Sequence, residues 1–365
     1  MEATKTVRVS VIMPVYNSAK FLRETLDTVV NQTLREIEII CVDDGSSDDS
    51  LDILKEYAQK DKRVLVVEQK NQYAGVARNN GFSKATGKYV IFWDSDDLFM
   101  PYALEKLYKR CEKDEADICV CGADMMDSET GERISSGVHL VKKWLPSKRP
   151  FSKEEMPEYI FQFATNVPWN KMFLRSFLEK NQLQFQESKQ SNDTYFILMA
   201  LFLAYRITYV KRKLMLYRIY NEKSLTGKAS DTVFCSYEAY VKVLEEFLQN
   251  DMFVKSEELR KGFANRAIRG FFHSLFSQHE ATSYEKLYEL LVSQGFAKFD
   301  LLDKGKSYFH YKEHYEYMHK MYTMEPEQFL LYRFQKEKRD FEIARSHIIV
   351  RVVLKLRRMF QSKKD

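Results

Sequence analysis

Cysteine is scarce in this sequence and never occurs in a spacing that suggests pairing. The five cysteines among 365 residues are scattered and odd in number, namely Cys41, Cys111, Cys119, Cys121 and Cys235. A disulfide framework or a zinc site would require closely spaced pairs such as CxxC. We therefore expect neither, and this cysteine usage is typical of a reducing compartment.

Long hydrophobic runs are also missing. The longest run beyond the first predicted strand covers residues 195–205, which is too short because a membrane-spanning helix needs ~20 apolar residues. The first apolar run has neither the length nor the small-residue cleavage site of a signal peptide. These absences predict a cytoplasmic protein without a transmembrane segment.

Two glycine-rich phosphate-binding motifs are absent as well. Neither GxxxxGKS nor GxxxxGKT occurs, and the GxGxxG pattern of dinucleotide-binding enzymes does not occur either. Both motifs bring backbone amides against phosphate groups. Their absence excludes P-loop nucleotide hydrolases and dinucleotide-dependent enzymes.

The net charge of +5 is located entirely in the last part of the chain. Residues 351–365 contain six lysines and arginines against one aspartate, so residues 1–350 sum to zero. Across residues 347–365, apolar side chains fall on one helical face and basic ones on the other. Such a segment can lie in an anionic membrane surface. An ordinary core-facing helix is the alternative, and the pronounced apolar face argues against a nucleic-acid arm.

Short β-branched runs alternate with amphipathic stretches over the first 125 residues. Strands are predicted at residues 7–13, 37–42, 64–67, 89–93 and 118–120, with helices between them at 21–30, 51–58, 74–85 and 102–111. This βαβ order predicts an α/β fold built on an open parallel sheet. Ligands of such sheets bind beyond the carboxyl ends of the strands.

The pattern changes after residue 126. It predicts a hairpin at Glu129-Thr130-Gly131, helices near 154–163 and after Asp193, strands at 207–210 and 214–218, and only helices beyond about residue 230. We therefore expect two regions, a sheet domain over residues 1–228 and a helical region over residues 229–365.

An acidic cluster follows the fourth predicted strand in the sequence Phe-Trp-Asp-Ser-Asp-Asp at residues 92–97. Closely spaced carboxylates repel one another unless a cation lies among them, and hard divalent ions prefer carboxylate oxygens. The cluster therefore indicates a metal site, and a metal at a strand end suggests a bound phosphate. The alternative is a solvated turn in which Asp96 or Asp97 caps the next helix.

Several motifs in the expected order resemble the inverting glycosyltransferases of family 2, which have the GT-A nucleotide-diphospho-sugar transferase fold. They are VSVIMPVYN at residues 9–17, VDDGSSD at 42–48, ARNNG at 77–81, FWDSDD at 92–97, VPWNK at 167–171 and YRI at 217–219. The resemblance covers residues 7–225 and is closest to bacterial surface-polysaccharide members. It implies a mostly parallel sheet flanked by helices, with an α-helical C-terminal extension.

The resemblance implies a nucleotide-sugar site along the strand ends. Its expected residues are Pro14, Tyr16, Asn17, Asp43, Asp44, Arg78, Asp94, Ser95 and Arg218. Carboxylates accept hydrogen bonds, so Asp43 would bind the base and Asp94 the ribose. Asp96 would hold Mg²⁺ or Mn²⁺ against the diphosphate, while the two arginines would bind the phosphates. As alternatives, Asp44 builds the turn and Arg78 is a surface residue.

The catalytic base implied by the resemblance is Asp193. Inverting transfer is a single in-line displacement, so a carboxylate must take the proton of the acceptor hydroxyl. Family members place an acidic pair at the start of a helix, where this chain has Asn192 followed by Asp193. Simple capping of that helix is the alternative, and Glu187 is a weaker candidate for the base.

The expected activity is therefore transfer from a UDP-hexose or UDP-N-acetylhexosamine to a glycan or lipid-linked acceptor. The chain lacks the Gln-x-x-Arg-Trp element of processive family members, which favours addition of one sugar per encounter at the inner face of the cell membrane. Two other interpretations stay open. A sugar-1-phosphate nucleotidyltransferase would need a GxGxRxxP loop where residues 14–17 stand, and a silent nucleotide-sugar-binding protein would need no base. The sequence gives no oligomeric state.

Overall fold

The computed structural model describes residues 6–219 and 232–342. The chain forms two compact units, Met1–His279 and Glu280–Asp365. The predicted boundary at 228/229 and the basic segment 347–365 lie outside the described residues, so both stay predictions.

The first unit begins with alternating strands and helices, as predicted. These are β1 (Val9–Val15), α1 (Ala19–Val30), β2 (Ile37–Asp43), α2 (Ser50–Lys60), β3 (Val64–Glu68), α3 (Tyr73–Phe82), β4 (Tyr89–Phe92), β5 (Leu98–Phe99) and α4 (Ala103–Asp114). The strands β1, β2, β3 and β4 pair in parallel, with Val11 opposite Ile39 on one side and Ile91 on the other. These three residues are completely buried, which is why their segments read as continuous apolar runs.

The rest of the sheet is mixed rather than parallel. It contains β6 (Ile118–Asp127), β7 (Arg133–Ile134), β8 (Lys171–Leu174) and β9 (Ile207–Ile219), together with the helices α5 (Arg175–Lys180) and α6 (Asn192–Leu203). The strand order is β3-β2-β1-β4-β8-β6-β9-β5, and β8 runs antiparallel to both neighbours. Two neighbouring parallel strands are usually joined by a crossover helix. The chain instead enters β8 through the largely irregular residues 135–170, which is consistent with its antiparallel direction.

Three predictions for residues 126–225 had different outcomes. The hairpin at residues 129–131 is confirmed, since β6 and β7 pair antiparallel around it. The predicted helix at 154–163 is wrong, because the segment consists of turns and Pro157 supplies no amide hydrogen for a continuous ladder. The two predicted strands at 207–210 and 214–218 form one strand, β9, whose register against β6 shifts around Gly122. This irregularity accommodates the basic residues 211–213 that read as a break.

The described residues beyond 231 are helical, as predicted. The first unit ends with α7 (Cys235–Leu248), α8 (Asp251–Lys255) and α9 (Glu257–Phe276). The second unit contains α10 (Ala281–Leu290), a π-helical turn (Leu291–Gly295), α11 (Phe296–Lys298), α12 (Lys312–Met321) and a helix over residues 326–342. Among the described residues, no helix combines the length and apolarity needed to cross a membrane.

Candidate active site

The predicted site residues follow three adjacent parallel strands. Val15 at the end of β1 lies opposite Asp43 at the end of β2, and β4 pairs with the other edge of β1. Because the three strands run in the same direction, the loops that carry Tyr16, Asp43 and Asp94 meet at one edge of the sheet. The structure therefore brings together the residues that the sequence placed at separate strand ends.

Asp43 has an unsatisfied buried oxygen at this edge. The residue is only 3% exposed, and its Oδ2 accepts a hydrogen bond from the Ser46 amide at 3.1 Å. Its Oδ1 is buried and has no hydrogen-bond partner among the described residues. A buried acceptor without a donor costs free energy, so a ligand N–H group fits this position.

The neighbouring loop residues mainly hold the backbone. Asp44 Oδ1 accepts hydrogen bonds from the Gln69 side chain and the Gln72 amide, both at 2.8 Å, as the turn-building alternative predicted. Asn17 adopts a φ of 48° and accepts the Ser47 amide at 2.8 Å, which ties the two loops together.

Two further predicted residues of the first strand differ in exposure. Pro14 is buried within β1, so its contribution is to strand geometry. Tyr16 is 48% exposed at the strand end. Of these two, only the Tyr16 side chain is available to a ligand.

The acidic cluster divides into two partly exposed carboxylates and one buried one. Asp94 and Asp96 are partly exposed, while Asp97 is buried and accepts the Arg218 amide at 2.9 Å. Burial, followed by the charges of Asp96 and Asp94, raises the pKa of Asp97 well above its usual range. Ser95 is buried, and its hydroxyl lies 2.7 Å from that of Ser18. Asp97 therefore fastens the turn, and the ligand-facing acids are the other two.

The cluster does not by itself make a protein-only metal site. Among the described residues there is no group of three or more histidines, cysteines, aspartates or glutamates that could hold a metal ion. Burial is the main cause of the raised pKa of Asp97, but the charges of Asp96 and Asp94 add to it, and a cation would relieve that repulsion. The residues present fit a divalent ion only if oxygens of a bound ligand complete its coordination.

Arg78 connects the acidic cluster to the other side of the site. One guanidinium nitrogen donates to Asp94 Oδ1 at 2.7 Å and another to Asn192 Oδ1 at 2.9 Å. The guanidinium lies 5.3 Å from the ring centroid of Phe185, and its Nε has no hydrogen-bond partner among the described residues. At 7% exposure Arg78 is buried, which rules out the surface-residue alternative.

Arg218 is engaged on the opposite side of the acidic cluster. Its Nε donates to the Asp96 carbonyl at 2.6 Å, and another guanidinium nitrogen pairs with Glu24. The group also lies over the ring of Phe21 at 4.6 Å. The predicted phosphate contact of Arg218 would therefore add to these interactions, which already order the turn around Asp96.

Asp193 lies in the first turn of α6, next to the Arg78 contact. The N-cap position is Ser191, whose side chain makes no capping hydrogen bond, and Asn192 and Asp193 follow inside the helix. Phe196, one turn later, stacks on Phe185 with ring centroids 4.0 Å apart, which fixes the start of the helix against the core. The geometry does not support capping as the role of Asn192 or Asp193.

The environment of Asp193 favours its protonated form more than water does. Although the side chain keeps partial exposure, burial raises its pKa, Arg78 opposes the shift, and Asp94 adds to it. A carboxylate with a raised pKa is a stronger base once ionised. Glu187, the weaker candidate, is exposed to solvent.

Sequence reasoning missed an aromatic group beside these acids. Trp169 and Tyr217 stack with ring centroids 5.4 Å apart, and His139 lies edge-on to Trp169 at 4.8 Å. Burial raises the pKa of Tyr217, and so do the nearby acidic-cluster residues and Asp193. Two of these aromatics stand inside the VPWNK and YRI motifs, but spacing alone did not reveal that they meet.

Comparisons with known proteins agree with this geometry. A family model described as glycosyl transferase family 2 matches residues 10–181. The putative glycosyltransferase EpsH of Bacillus subtilis is 32% identical, over 80% of this chain and 83% of that protein. The cholesterol galactosyltransferase of Borreliella burgdorferi is 27% identical, over 85% and 86% of the two chains.

Solved structures show the same fold. S. aureus TarS 1–349 in complex with UDP-GlcNAc matches with a TM-score of 0.66 and 21% identity, over 87% of this chain and 91% of that chain. A mannosyltransferase of Pyrobaculum calidifontis, in complex with GDP-Man and Mn²⁺, matches with a TM-score of 0.50 and 16% identity, over 86% and 84%. At these identities the likeness establishes the fold alone.

Proposed function

The chain belongs to glycosyltransferase family 2 and has the GT-A fold, and we propose that it moves a sugar, with inversion, from a nucleotide-diphospho-sugar to an acceptor hydroxyl. The observation that carries this proposal is the bridge made by Arg78. It joins Asp94, at the donor end of the sheet, to Asn192, the residue before Asp193. The two terminal nitrogens of one buried guanidinium thereby hold the donor-binding carboxylate and the residue next to the candidate base.

The donor is a UDP-hexose or a UDP-N-acetylhexosamine. The unsatisfied Oδ1 of Asp43 supports recognition of a base N–H group, and the partly exposed Asp94 supports a contact to the ribose. The UDP-GlcNAc complex of the structurally similar TarS also favours a uridine donor. Tyr16, exposed beside Asp43, is available to cover the base.

Asp193 acts as the base in the transfer step. The acceptor hydroxyl attacks the anomeric carbon and gives its proton to the Asp193 carboxylate, while the bond from that carbon to the diphosphate oxygen breaks. The positive charge of Arg78 lies close enough to lower the pKa of Asp193 against the raising effect of burial. The raised pKa makes the ionised carboxylate a stronger base, and Arg78 limits how far the pKa rises.

A divalent ion, Mg²⁺ or Mn²⁺, fits beside Asp96. When bound, it would neutralise the developing charge of the leaving diphosphate. Asp96 would supply the protein carboxylate, and its backbone is held by the bond from Arg218 to its carbonyl at 2.6 Å. The repulsion that Asp94 and Asp96 add to the effect of burial on Asp97 supports a cation at this place.

The acceptor is a glycan or lipid-linked hydroxyl used in surface polysaccharide synthesis, reached at an anionic membrane surface. The basic amphipathic sequence of residues 347–365 supports membrane contact. The helix over residues 326–342 adds exposed apolar side chains at Leu331, Phe334 and Phe341. Deletion of residues 347–365 should weaken binding to vesicles that contain anionic lipid, and unchanged binding would contradict this part of the proposal.

The donor is identified by measuring the melting temperature with nucleotide sugars, with and without Mn²⁺. Binding to the native state raises stability by mass action, so the correct donor should raise the melting temperature most, and more with the metal. Release of the nucleoside diphosphate is then followed with glycan acceptors. If no nucleotide sugar stabilises the protein or is consumed, the proposed function is wrong.

A further inference from the structure

A second polar group includes His139, the edge-on neighbour of Trp169. It consists of His139, Lys171, Arg266 and Arg269, which we call the basic cluster. Lys171 is completely buried, and His139 and Arg266 are each 6% exposed, while Arg269 and the nearby Asp193 keep partial exposure. Burying a cation is costly unless something compensates it, so this cluster requires an explanation.

Hydrogen bonds to one loop position hold two members of the cluster together. Lys171 Nζ donates to the Thr165 carbonyl at 2.7 Å, and the Thr165 hydroxyl lies 3.2 Å from His139 Nδ1. The lysine also donates to the Val167 carbonyl and to Asn170 Oδ1, both at 2.8 Å. Lys171 thereby fixes the loop that carries Trp169.

The neighbouring residue Asn166 links this loop to Arg266. Asn166 Nδ2 donates to the Tyr240 hydroxyl at 3.1 Å, and the same tyrosine hydrogen-bonds the Arg266 guanidinium. Tyr240 reaches this position because Gly270, one turn after Arg266, has no side chain. A Cβ at Gly270 would lie 2.3 Å from Cε2 of Tyr240 and 2.5 Å from its hydroxyl.

Three buried polar atoms of this network lack partners. Arg266 Nε, His139 Nε2 and Asn166 Oδ1 have no hydrogen-bond partner among the described residues. Two of the three belong to side chains that are more than nine-tenths buried. Arg266 Nε is the definite donor among them, and a buried donor without a partner is what an anionic ligand would satisfy.

Besides burial, the basic groups of the cluster lower one another's pKa. Burial, followed by Arg266, lowers the pKa of Lys171 to about 7. Burial, Lys171 and Arg269 lower the pKa of His139 to about 4. The facing carboxylate that raises the pKa of both Lys171 and Arg266 is Asp193. The positive field therefore lies next to the proposed base.

We propose that the basic cluster binds a phosphate-type oxyanion carried by the acceptor. Guanidinium groups match the geometry of such oxyanions, and charge-assisted hydrogen bonds to them are stronger than neutral ones. The anion would hold the acceptor so that its hydroxyl lies near Asp193, whose charge reaches both Lys171 and Arg266. This inference rests on the proposed function because it concerns the substrate of the same site.

The test is calorimetric titration of the full chain with glycerol 3-phosphate, with glycerol as the uncharged control, in EDTA and without donor. Wild type should bind the phosphate saturably and glycerol not at all. Arg266→Met should weaken phosphate binding about tenfold or more. The matched control is Arg260→Met on the same helix, whose guanidinium instead contacts the Val254 carbonyl; it should bind as wild type does.

Stability measurements separate a binding role from a structural one. Arg266→Met keeps side-chain bulk and removes a buried charge, so its melting temperature without phosphate should equal or exceed that of wild type. A lower melting temperature, together with unchanged phosphate binding, would make Arg266 a core residue and overturn the proposal. Arg266→Lys keeps the charge and should retain weaker binding, which provides a second variant if the first does not fold.

A parallel titration of Arg78→Met identifies where the anion binds. Loss of phosphate binding in Arg78→Met but not in Arg266→Met would locate the anion at the donor end and overturn the proposal. The proposal is also overturned if wild type binds no phosphate, or if all variants bind it equally, which would indicate an adventitious ion only. Because the assay involves no donor, metal or turnover, its result is independent of the proposed function. If the protein binds phosphate through Arg266 but transfers no sugar, the proposed function is wrong and the anion site still stands.

Discussion

Arg78 pairs with Asp94 at 2.7 Å across the gap between α3 and the end of β4. Only Oδ1 of Asp94 makes this contact. Because Asp94 is partly exposed, its other carboxylate oxygen is available to a bound ligand. The other terminal nitrogen of the arginine donates to Asn192. A single buried guanidinium thus couples the position of the donor-side acid to that of the helix that starts at Asn192.

Replacing Asp193 by asparagine tests the base directly. Asp193→Asn keeps the size and polarity of the side chain but cannot take a proton, so the transfer rate should fall by about 10²–10⁴. Donor binding, followed by the melting temperature, should be unchanged because the donor contacts lie at the strand ends. The control is Glu187→Gln, which alters an exposed acid in the preceding segment and should leave turnover near that of wild type.

The pH dependence of transfer gives a second test of the same residue. Burial raises the pKa of Asp193, whereas an unperturbed aspartate titrates at about 3.9. Because the base acts in its ionised form, activity should disappear as the pH falls through this raised pKa. The acidic limb of kcat/KM should therefore lie above that of an ordinary aspartate.

Arg78 sets the position of that limb. The arginine lowers the pKa of Asp193, so Arg78→Met should move the acidic limb to higher pH as well as reducing the rate. If the acidic limb of kcat/KM stays at the same pH in both Arg78→Met and Asp193→Asn, the group that titrates is not Asp193. The comparison is made from rate profiles between pH 5 and pH 9 at saturating metal, roughly the range in which such bases operate.

The sequence predicted the first half of the fold well because its central strands, β1, β2 and β4, are buried on both faces. Runs such as residues 37–42 contain little besides apolar residues, and β2 is almost entirely buried. The same pattern could not predict the antiparallel position of β8, since four residues of strand carry no information about direction. It also misread residues 154–163, where apolar spacing is helical but Pro157 and contacts with α9 produce turns.

The site could be predicted from the sequence only where its residues belong to motifs at neighbouring strand ends. Asp43, Asp94 and Arg78 belong to motifs that lie at strand ends or on the helix beside them, so their proximity follows from a parallel sheet. The basic cluster could not be found in this way. Lys171 and Arg266 are far apart in sequence and meet only because α9 packs near the loop before β8, and an arginine in a long helix otherwise reads as a solvated residue.

The metal prediction concerns Asp96. Asp96→Ala removes the carboxylate that we assign to the ion, so donor binding should lose its dependence on Mn²⁺ and weaken toward the value seen in EDTA. Asp49→Ala is the control, because Asp49 is an exposed acid in the loop after β2 whose side chain caps no amide. Melting temperatures with donor, with and without Mn²⁺, give the measurement. If Mn²⁺ still raises the melting temperature of the Asp96→Ala protein with donor, another oxygen ligand holds the metal and the assignment of Asp96 is wrong.

Gly75 of α3 lies directly against the chain around the start of α6. A Cβ added there would lie 2.1 Å from the Gln186 carbonyl oxygen and 3.0 Å from Cβ of Asn192. Helix propensity alone would make Gly75→Ala stabilising by about 1 kcal/mol, but a clash with backbone cannot be relieved by a rotamer change. We therefore expect the free energy of unfolding to fall by about 1–3 kcal/mol.

The same substitution should also impair transfer, because it moves Asn192 away from the helix that carries Arg78. The loss should appear in kcat more than in donor binding, since Asp193 shifts while the strand ends stay in place. Gly137→Ala is the matched control, as a Cβ at Gly137 meets nothing within 4 Å, and it should change neither quantity. Denaturant unfolding and transfer rates of both variants decide the matter: a stabilised, fully active Gly75→Ala protein would show that the two helices need not be this close for the base to work.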